Sequence, residues 1–475
     1  MPDPNIDPAL RALQLLLTLI GLPEPSTSAR VVLTSRDAVV PSANRYAAAT
    51  AAALGAYGAA IAAFWALRTG RQQEVEIDER RAVLHGLRSV FLLRQSGHGY
   101  SVGGIGAQGL RANNFFMTRD GRQIYLLRMF DYPHLVPALL GVLRCPNTHD
   151  DIAHAVSHWD AFELEDALAR AKAVGVVSRS PREWLAHPQG QWLAERPGVE
   201  VRRIGDSAPE PFQDGDRPLS GIRVLDASHV IAGPATGRTL AEQGAQVLRI
   251  SAPYQPDPQQ MVIDLGFGKR SAFIDLNHVE DARQLRELAM KADVFIESWR
   301  PGAMERRGFS PEDLMRLRPG IVYVSLSCYG SGGPWRERAG YEPIGQAATG
   351  LSMMEGGKDH PALAPTVTMN DYLSAYLAAA GVASALVRRA REGGSYHVST
   401  SLAQSSMWVL QQGAHSEAEG QSVCGLDSPT PANWMSRTES AFGLLEHCAP
   451  VTQFSETPGF WACPPQPLGA AQPVW

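Results

Sequence analysis

The feature that most constrains this chain is the alternation of strand-like and helix-like segments through its second half. "GIRVLDASH" reads as a short apolar strand, "GPATGRTLAEQGAQ" as a helix with small residues at its start, and "VLRIS" as a second strand. "KRSAFIDL", "ADVFIES" and "IVYVSLS" supply further strands, with "EDARQLRELAMK" and "SPEDLMRLRP" as helices among them. Parallel strands joined through helices take right-handed crossovers. The spacing therefore predicts an α/β fold, a doubly wound Rossmann-like parallel sheet domain. Ahead of it, "NNFFMTRDGRQIYLLRM" reads as two short strands around an Arg-Asp-Gly turn, followed by helical segments, which predicts a smaller α+β domain. The stretch "GDSAPEPFQDGDRPLSG", rich in proline, glycine and acids, separates the halves. The expected organisation is a helical segment at 1–95, a small domain at 96–204, a linker at 205–218, the sheet domain at 219–410 and a tail at 411–475.

Composition narrows the function. At 475 residues the chain can bury a large core. A net charge of −5, with 19% charged residues and no sustained basic run, argues against nucleic acid or an anionic membrane as the main partner. Five cysteines (Cys145, Cys328, Cys424, Cys448, Cys463) form no C-x-x-C pair, so they read as reduced thiols of a cytoplasmic protein, with neither a disulfide frame nor a metal site. The first residues lack the basic region of a signal peptide. Tyr46 to Leu67 is uncharged for long enough to cross a bilayer. It is mostly alanine, which contributes little apolar area, so it is expected to be a core helix packed closely through small residues.

That helix has a counterpart. Aligning Gly58 with Gly381 (381 − 58 = 323) also pairs Arg68 with Arg391, Gly70 with Gly393 and Val75 with Val398. In this register Asp371, the lone carboxylate opening "TMNDYLSAYLAAAGVASALVRR", stands opposite Ala48. By itself Asp371 reads as a helix N-cap.

A strand–helix–strand unit first suggests a nicotinamide enzyme, which needs G-x-G-x-x-G in the first turn so that the backbone can approach a pyrophosphate. Here the turn is "SHVIAGPATG", with other glycine spacing and a proline inside, and Ser251 stands where the ribose-binding acid belongs. That reading fails.

The residues resemble instead the class III CoA-transferases, the formyl-CoA and carnitine CoA-transferase type. The likeness runs through "GIRVLDASHVIAGPATGRTLAEQGAQVLRI", "GKRSAFIDL", "ADVFIESWRPGAMERRGFSPEDLMRLRPGIVYVSLSCYGSGGPW", "AGYEPIGQAATG" and "DYLSAYLAAAGVASALVRRAREGGSYHVSTSL", in family order. It implies that Asp371 is the reactive carboxylate, and that 1–95 holds a degenerate copy of the catalytic-helix region. It further implies Lys269 and Arg306 near the CoA phosphates, Ser298 and Trp299 beside the adenine, and His229 and Ile231 in the turn facing the thioester. Tyr341 and Glu342 match acyl-pocket positions, and Gly103 and Gly104 match a glycine flap over the intermediate. Coenzyme A and acyl-CoA would be substrates, with no tightly bound cofactor, and a homodimer is the expected assembly.

Two departures matter. The small domain here precedes the sheet domain, the reverse of the family's usual order, which puts the interlocked ring dimer in question. The related α-methylacyl-CoA racemases use a histidine in a Gly-His-Asp sequence as base. This chain has Gly340, Tyr341 and Glu342 there, and tyrosine with an ordinary pKa of about 10 is a poor base at neutral pH. Transfer of CoA between carboxylic acids is therefore expected over racemisation. A CoA-binding protein without activity is the other alternative.

Overall fold

The computed structural model describes residues 7–22, 29–34, 39–96, 114–128, 135–212, 214–254, 257–415, 423 and 425–475. In chain order the strands are β1 (Ala29–Thr34), β2 (Gln73–Asp78), β3 (Arg94–Ser96), β4 (Phe115–Met117), β5 (Gln123–Leu126), β6 (Gly175–Val177), β7 (Val199–Gly205) and β8 (Arg223–Asp226). They continue with β9 (Gln246–Ser251), β10 (Lys269–Phe273), β11 (Val294–Glu297), β12 (Val322–Ser327), β13 (Ser395–Ser401), β14 (Met435–Ser440), β15 (Gly443–Cys448) and β16 (Gln453–Phe454).

The main sheet has seven strands in the order β10-β9-β8-β11-β12-β13-β7. All its pairings are parallel except that β7 runs antiparallel to β13. Strand β11 illustrates why the sequence reads as a near-continuous apolar run. Val294 and Ile296 join the core on one face of the sheet, while Phe295 joins the other, and all three are fully buried. Both faces of a parallel sheet are covered, so alternate side chains must both be apolar. The order reverses between β8 and β11, which are direct neighbours, so the loops after these two strands diverge and leave a crevice.

The smaller domain pairs β4, β5 and β6 antiparallel around its own core, in which Phe116, Ile124, Leu139 and Leu168 are buried. Gly121 takes a positive φ of 73° in the Arg-Asp-Gly turn between β4 and β5, as a tight hairpin requires. The boundary expected at 204 is corrected: Val199–Gly205 leaves the small sheet and forms β7, an edge strand of the main one. The terminal segments are not separate units either. β3 pairs with β15, and β2 pairs with β16, so the tail is built into the N-terminal segment.

The apolar helix Tyr46–Thr69 is long and apolar enough to cross a membrane, and its apolar window is wholly buried inside the protein. It packs along the helix Met369–Glu392, and both have 24 residues. Their surroundings match. β2 lies between parallel β1 and antiparallel β16, and β13 lies between parallel β12 and antiparallel β7. Gly58 sits against Val75 of β2, and Gly381 against Val398 of β13, the pairs aligned by the sequence offset. A Cβ on Gly58 would meet Val75 Cγ1 at 2.4 Å, and one on Gly381 would meet Val398 Cγ1 at 2.7 Å. Glycine to alanine in a helix interior normally stabilises by about 1 kcal/mol. Here Gly58→Ala and Gly381→Ala are each expected to cost about 1–3 kcal/mol through overpacking. Denaturant unfolding checks this, and unchanged stability would contradict the close helix–strand contact.

Candidate active site

The crevice between β8 and β11 opens into a cavity of about 810 Å³. Its floor is the turn after β8, and a buried ion pair beneath sets that turn. Lys269 Nζ donates to Asp226 Oδ2 at 2.7 Å and to the Pro234 carbonyl at 2.5 Å. The other Asp226 oxygen accepts from both the backbone N–H and the hydroxyl of Ser228. Burial drives the Lys269 ammonium down to about 8, even against the pull of Asp226. Burial raises the Asp226 carboxyl, but Lys269, the Ser228 hydrogen bond and Arg249 together outweigh it and leave it below the usual carboxylate range. Next in the turn, Val230 adopts φ 65°, a left-handed conformation that is strained for a β-branched residue. Its N–H donates to Asp257 Oδ1 at 3.1 Å, and Asp257 is itself fixed by a buried ion pair with Arg249. Strain held this firmly is characteristic of ligand sites.

The loop after β11 closes on the same turn. Ser298 Oγ accepts from the His229 N–H at 3.0 Å and donates to the His229 carbonyl at 3.1 Å. The Trp299 indole N–H donates to the Ala227 carbonyl at 2.8 Å. The His229 ring stacks on Trp299 with centroids 4.1 Å apart, leaving a flat aromatic surface at the cavity wall.

Asp371 lies at the far side. The N-cap of the helix Met369–Glu392 is Thr368, so Asp371 is the third helical residue and does not cap the helix. It is 6% exposed and lines the cavity. Among the described residues no hydrogen bond reaches its carboxylate, and burial alone pushes it up to about 8. Glu342 takes over the helix amide: its Oε1 accepts from the Asn370 N–H at 2.9 Å, while Gln346 Nε2 donates to both its oxygens at 2.7 and 2.8 Å. Burial raises Glu342 well above the usual range, and the charge of Asp371 adds to this. Of the two carboxyls Asp371 is the one that faces the cavity, and among the described residues no protein group bonds to its oxygens.

The residues expected from the sequence divide as follows. His229, Ser298, Trp299, Tyr341 and Asp371 line one cavity. Ile231 is buried beneath the turn at the start of the helix Ala232–Ala241 and is not part of the lining. Two expectations, Lys269 and Glu342, are corrected, and Arg306 is placed outside the cavity. Lys269 is 1% exposed and spends its ammonium on Asp226, holding the turn from below and away from any phosphate. Arg306 is exposed on the short turn Glu305–Arg307, outside the lining, with its guanidinium folded back over Gly302. Glu342 stands behind Asp371, accepting from the Asn370 N–H of the helix Met369–Glu392, outside the cavity lining. Gly103 and Gly104 lie outside the described residues. The sequence reading missed Val230, Asp257 and Cys328, and the wall supplied by the small domain, including Lys172. A Val with positive φ carries no sequence signal, and the packing of one domain on another is a long-range property.

Comparison with known proteins gives a consistent result. Residues 219–434 match the sequence model of CoA-transferase family III. The chain is 34% identical over 279 residues to an acetyl-coenzyme A transferase of Hypoxylon pulicicidum, covering 55% of this chain and 47% of that protein. It is 29% identical over 266 residues to succinyl-CoA:glutarate CoA-transferase of Mus musculus, covering 54% and 57%. The chain thus spans about half the length of these curated relatives. A crystal structure of a CAIB/BAIF family protein from Brucella suis is 26% identical, with a TM-score of 0.39, covering 48% of this chain and 65% of that one.

Proposed function

We propose, from the match of residues 219–434 to CoA-transferase family III, that the chain belongs to that family and moves coenzyme A from an acyl-CoA to a second carboxylic acid with Asp371 as nucleophile. The observation that carries this reading is the Asp371 carboxylate itself: buried, unbonded among the described residues, in the first turn of a helix and facing a cavity large enough for the reacting end of a thioester. The positive end of the helix favours the anion that must attack.

The steps balance without a redox partner. An Asp371 oxygen attacks the thioester carbonyl, the C–S bond breaks, and an aspartyl–acyl anhydride and CoA thiolate result. The thiolate attacks the aspartyl carbonyl, the anhydride C–O bond breaks, and the donor acid leaves as carboxylate. The acceptor carboxylate attacks the aspartyl thioester and expels the thiolate, and the thiolate returns to the acceptor's acyl carbon to regenerate Asp371. Each intermediate stays activated, so the thioester's energy is retained. Water has to be kept out, which suits the cavity's enclosure between two domains. The His229–Trp299 surface offers a stacking platform for the adenine. Burial pushes Tyr341 up to about 12, so its phenol keeps its proton and provides no base for racemisation. The named relatives act on acetyl-CoA or on succinyl-CoA with glutarate, so small carboxylic acids are the proposed substrates. The free thiols Cys145, Cys328, Cys448 and Cys463 agree with action in the reducing cytoplasm.

The test is a transfer assay with acetyl-CoA and succinyl-CoA as donors against a panel of small acids. The proposal expects acid-dependent formation of the new acyl-CoA, and CoA binding without transfer to any acid would refute it. The pH dependence is a further prediction. Attack needs the ionised carboxylate, and Asp371 titrates at about 8. kcat/KM is thus expected to rise roughly tenfold per pH unit below that value and to level off above it. A profile flat from acid pH upward would contradict the assignment.

A further inference from the structure

The cavity's walls come from two domains. Ser298, Trp299 and Arg300 stand on the sheet side. Leu135 and Ala138 of the helix Leu135–Leu143, with Ala171 and Lys172 just past the helix Ala161–Arg170, stand on the small-domain side. Lys172 is unusual. It turns the chain out of its helix with φ 58°, donating its N–H to the Ala169 carbonyl at 3.1 Å, while the Ala173 N–H donates to the Leu168 carbonyl at 3.0 Å. Glycine is the common residue at such a helix end because any Cβ is strained there, by about 1–2 kcal/mol.

Among the described residues neither Lys172 nor Arg300 makes a side-chain hydrogen bond or ion pair, and both are exposed. They are the Lys and Arg side chains that line the cavity among the described residues. Of the acids in the lining, Asp257 is neutralised by Arg249, and Asp371 has no cation bonded to it.

We propose that Lys172 and Arg300 bind anionic oxygen groups of the ligand, Lys172 from the small domain and Arg300 from the sheet domain, so that the ligand ties the two domains over the cavity. The shared chemistry is a phosphate or carboxylate oxyanion. It rests on the transfer reading only for the source of that group: a CoA phosphate or the second carboxylate of a dicarboxylic acyl group.

The experiment is calorimetric binding to the full chain and to Lys172→Met, Lys172→Gly and Arg300→Met, with inorganic pyrophosphate, coenzyme A, acetyl-CoA and succinyl-CoA as probes. Loss of a charge-assisted contact is expected to weaken binding roughly tenfold or more. Weaker pyrophosphate, CoA and both thioesters assigns the clamp to phosphate, whereas weaker succinyl-CoA alone assigns it to carboxylate. Either result supports the proposal. Lys172→Gly is the structural control. It relieves the backbone strain, so its melting temperature should stay level or rise while binding falls as in Lys172→Met. The proposal is overturned if all probes bind the Lys172 variants as they bind the unaltered protein. If coenzyme A fails to bind the unaltered protein, the CoA reading falls. The clamp then stands or falls on pyrophosphate alone, and equal or absent pyrophosphate binding in both proteins sinks it.

Discussion

Asp371→Asn is expected to lower transferase turnover by on the order of 10³-fold or more while making the fold more stable at neutral and alkaline pH. Losing activity while gaining stability distinguishes a reactive group from a structural one. A helix-capping aspartate would gain nothing from this substitution, since asparagine caps about as well as aspartate. Asp371 does not cap, since Thr368 occupies that position and Glu342 receives the Asn370 amide. Its folded-state carboxyl titrates at about 8 because burial disfavours the charge, whereas an unfolded aspartate titrates at about 3.9. Folding therefore takes up a proton across that interval, and the folded state is favoured by acid. Below about pH 4 both states are protonated, and the asparagine variant gains nothing from removal of the charge. As pH rises from about 4 to 8 the wild-type protein carries a growing penalty that the variant lacks, and above about 8 the gap is constant. On this scale the gap is on the order of several kcal/mol. Urea unfolding of both proteins across that range measures it. A variant that is less stable throughout would show that the carboxylate holds the fold.

The second large effect is structural. Lys269→Met is expected to destabilise by about 3–5 kcal/mol, because it strands Asp226 without its cation at 0% exposure. The melting temperature should fall by on the order of 10 °C. The turn carrying His229 hangs from Asp226 through Ser228, so the damage should spread to the cavity floor. Pairing Lys269→Met with Asp226→Asn removes both charges while leaving an acceptor for Ser228, and most of the stability should return. CoA affinity separates the two roles of Lys269. As a structural cation it permits the double variant to bind coenzyme A within a few-fold of the unaltered protein. A phosphate contact would leave the double variant roughly tenfold weaker or worse even with its stability restored.

The sheet was legible in the sequence because parallel strands buried on both faces must be apolar throughout, as in Val294, Phe295 and Ile296. The turn "SHVIAG" was legible because its glycine spacing ruled out one cofactor and matched another family. Asp371 stood out as a lone acid in an uncharged helix, and the paired helices as a repeated alanine-glycine pattern. Lysine and arginine positions were read less well. The resemblance implied Lys269 and Arg306 as phosphate contacts, but a match of sequence positions does not give side-chain direction. Whether a cation faces a cavity or an internal carboxylate depends on side-chain direction, and Asp226 lies 43 residues away along the chain. Lys172 went unnoticed for the same reason: it reaches the cavity only through the docking of the small domain. β7 was read as part of the small domain because an edge strand pairing with β13, at the other end of the chain, leaves no local mark.

The most direct test of the account is chemical capture of the acylated carboxylate. The protein is mixed with acetyl-CoA or succinyl-CoA, quenched with hydroxylamine, digested and read by mass spectrometry. A hydroxamate on the peptide carrying Asp371, formed only when acyl-CoA is present, is the predicted result. If the protein turns over acyl-CoA while that peptide stays unmodified, Asp371 is not the nucleophile.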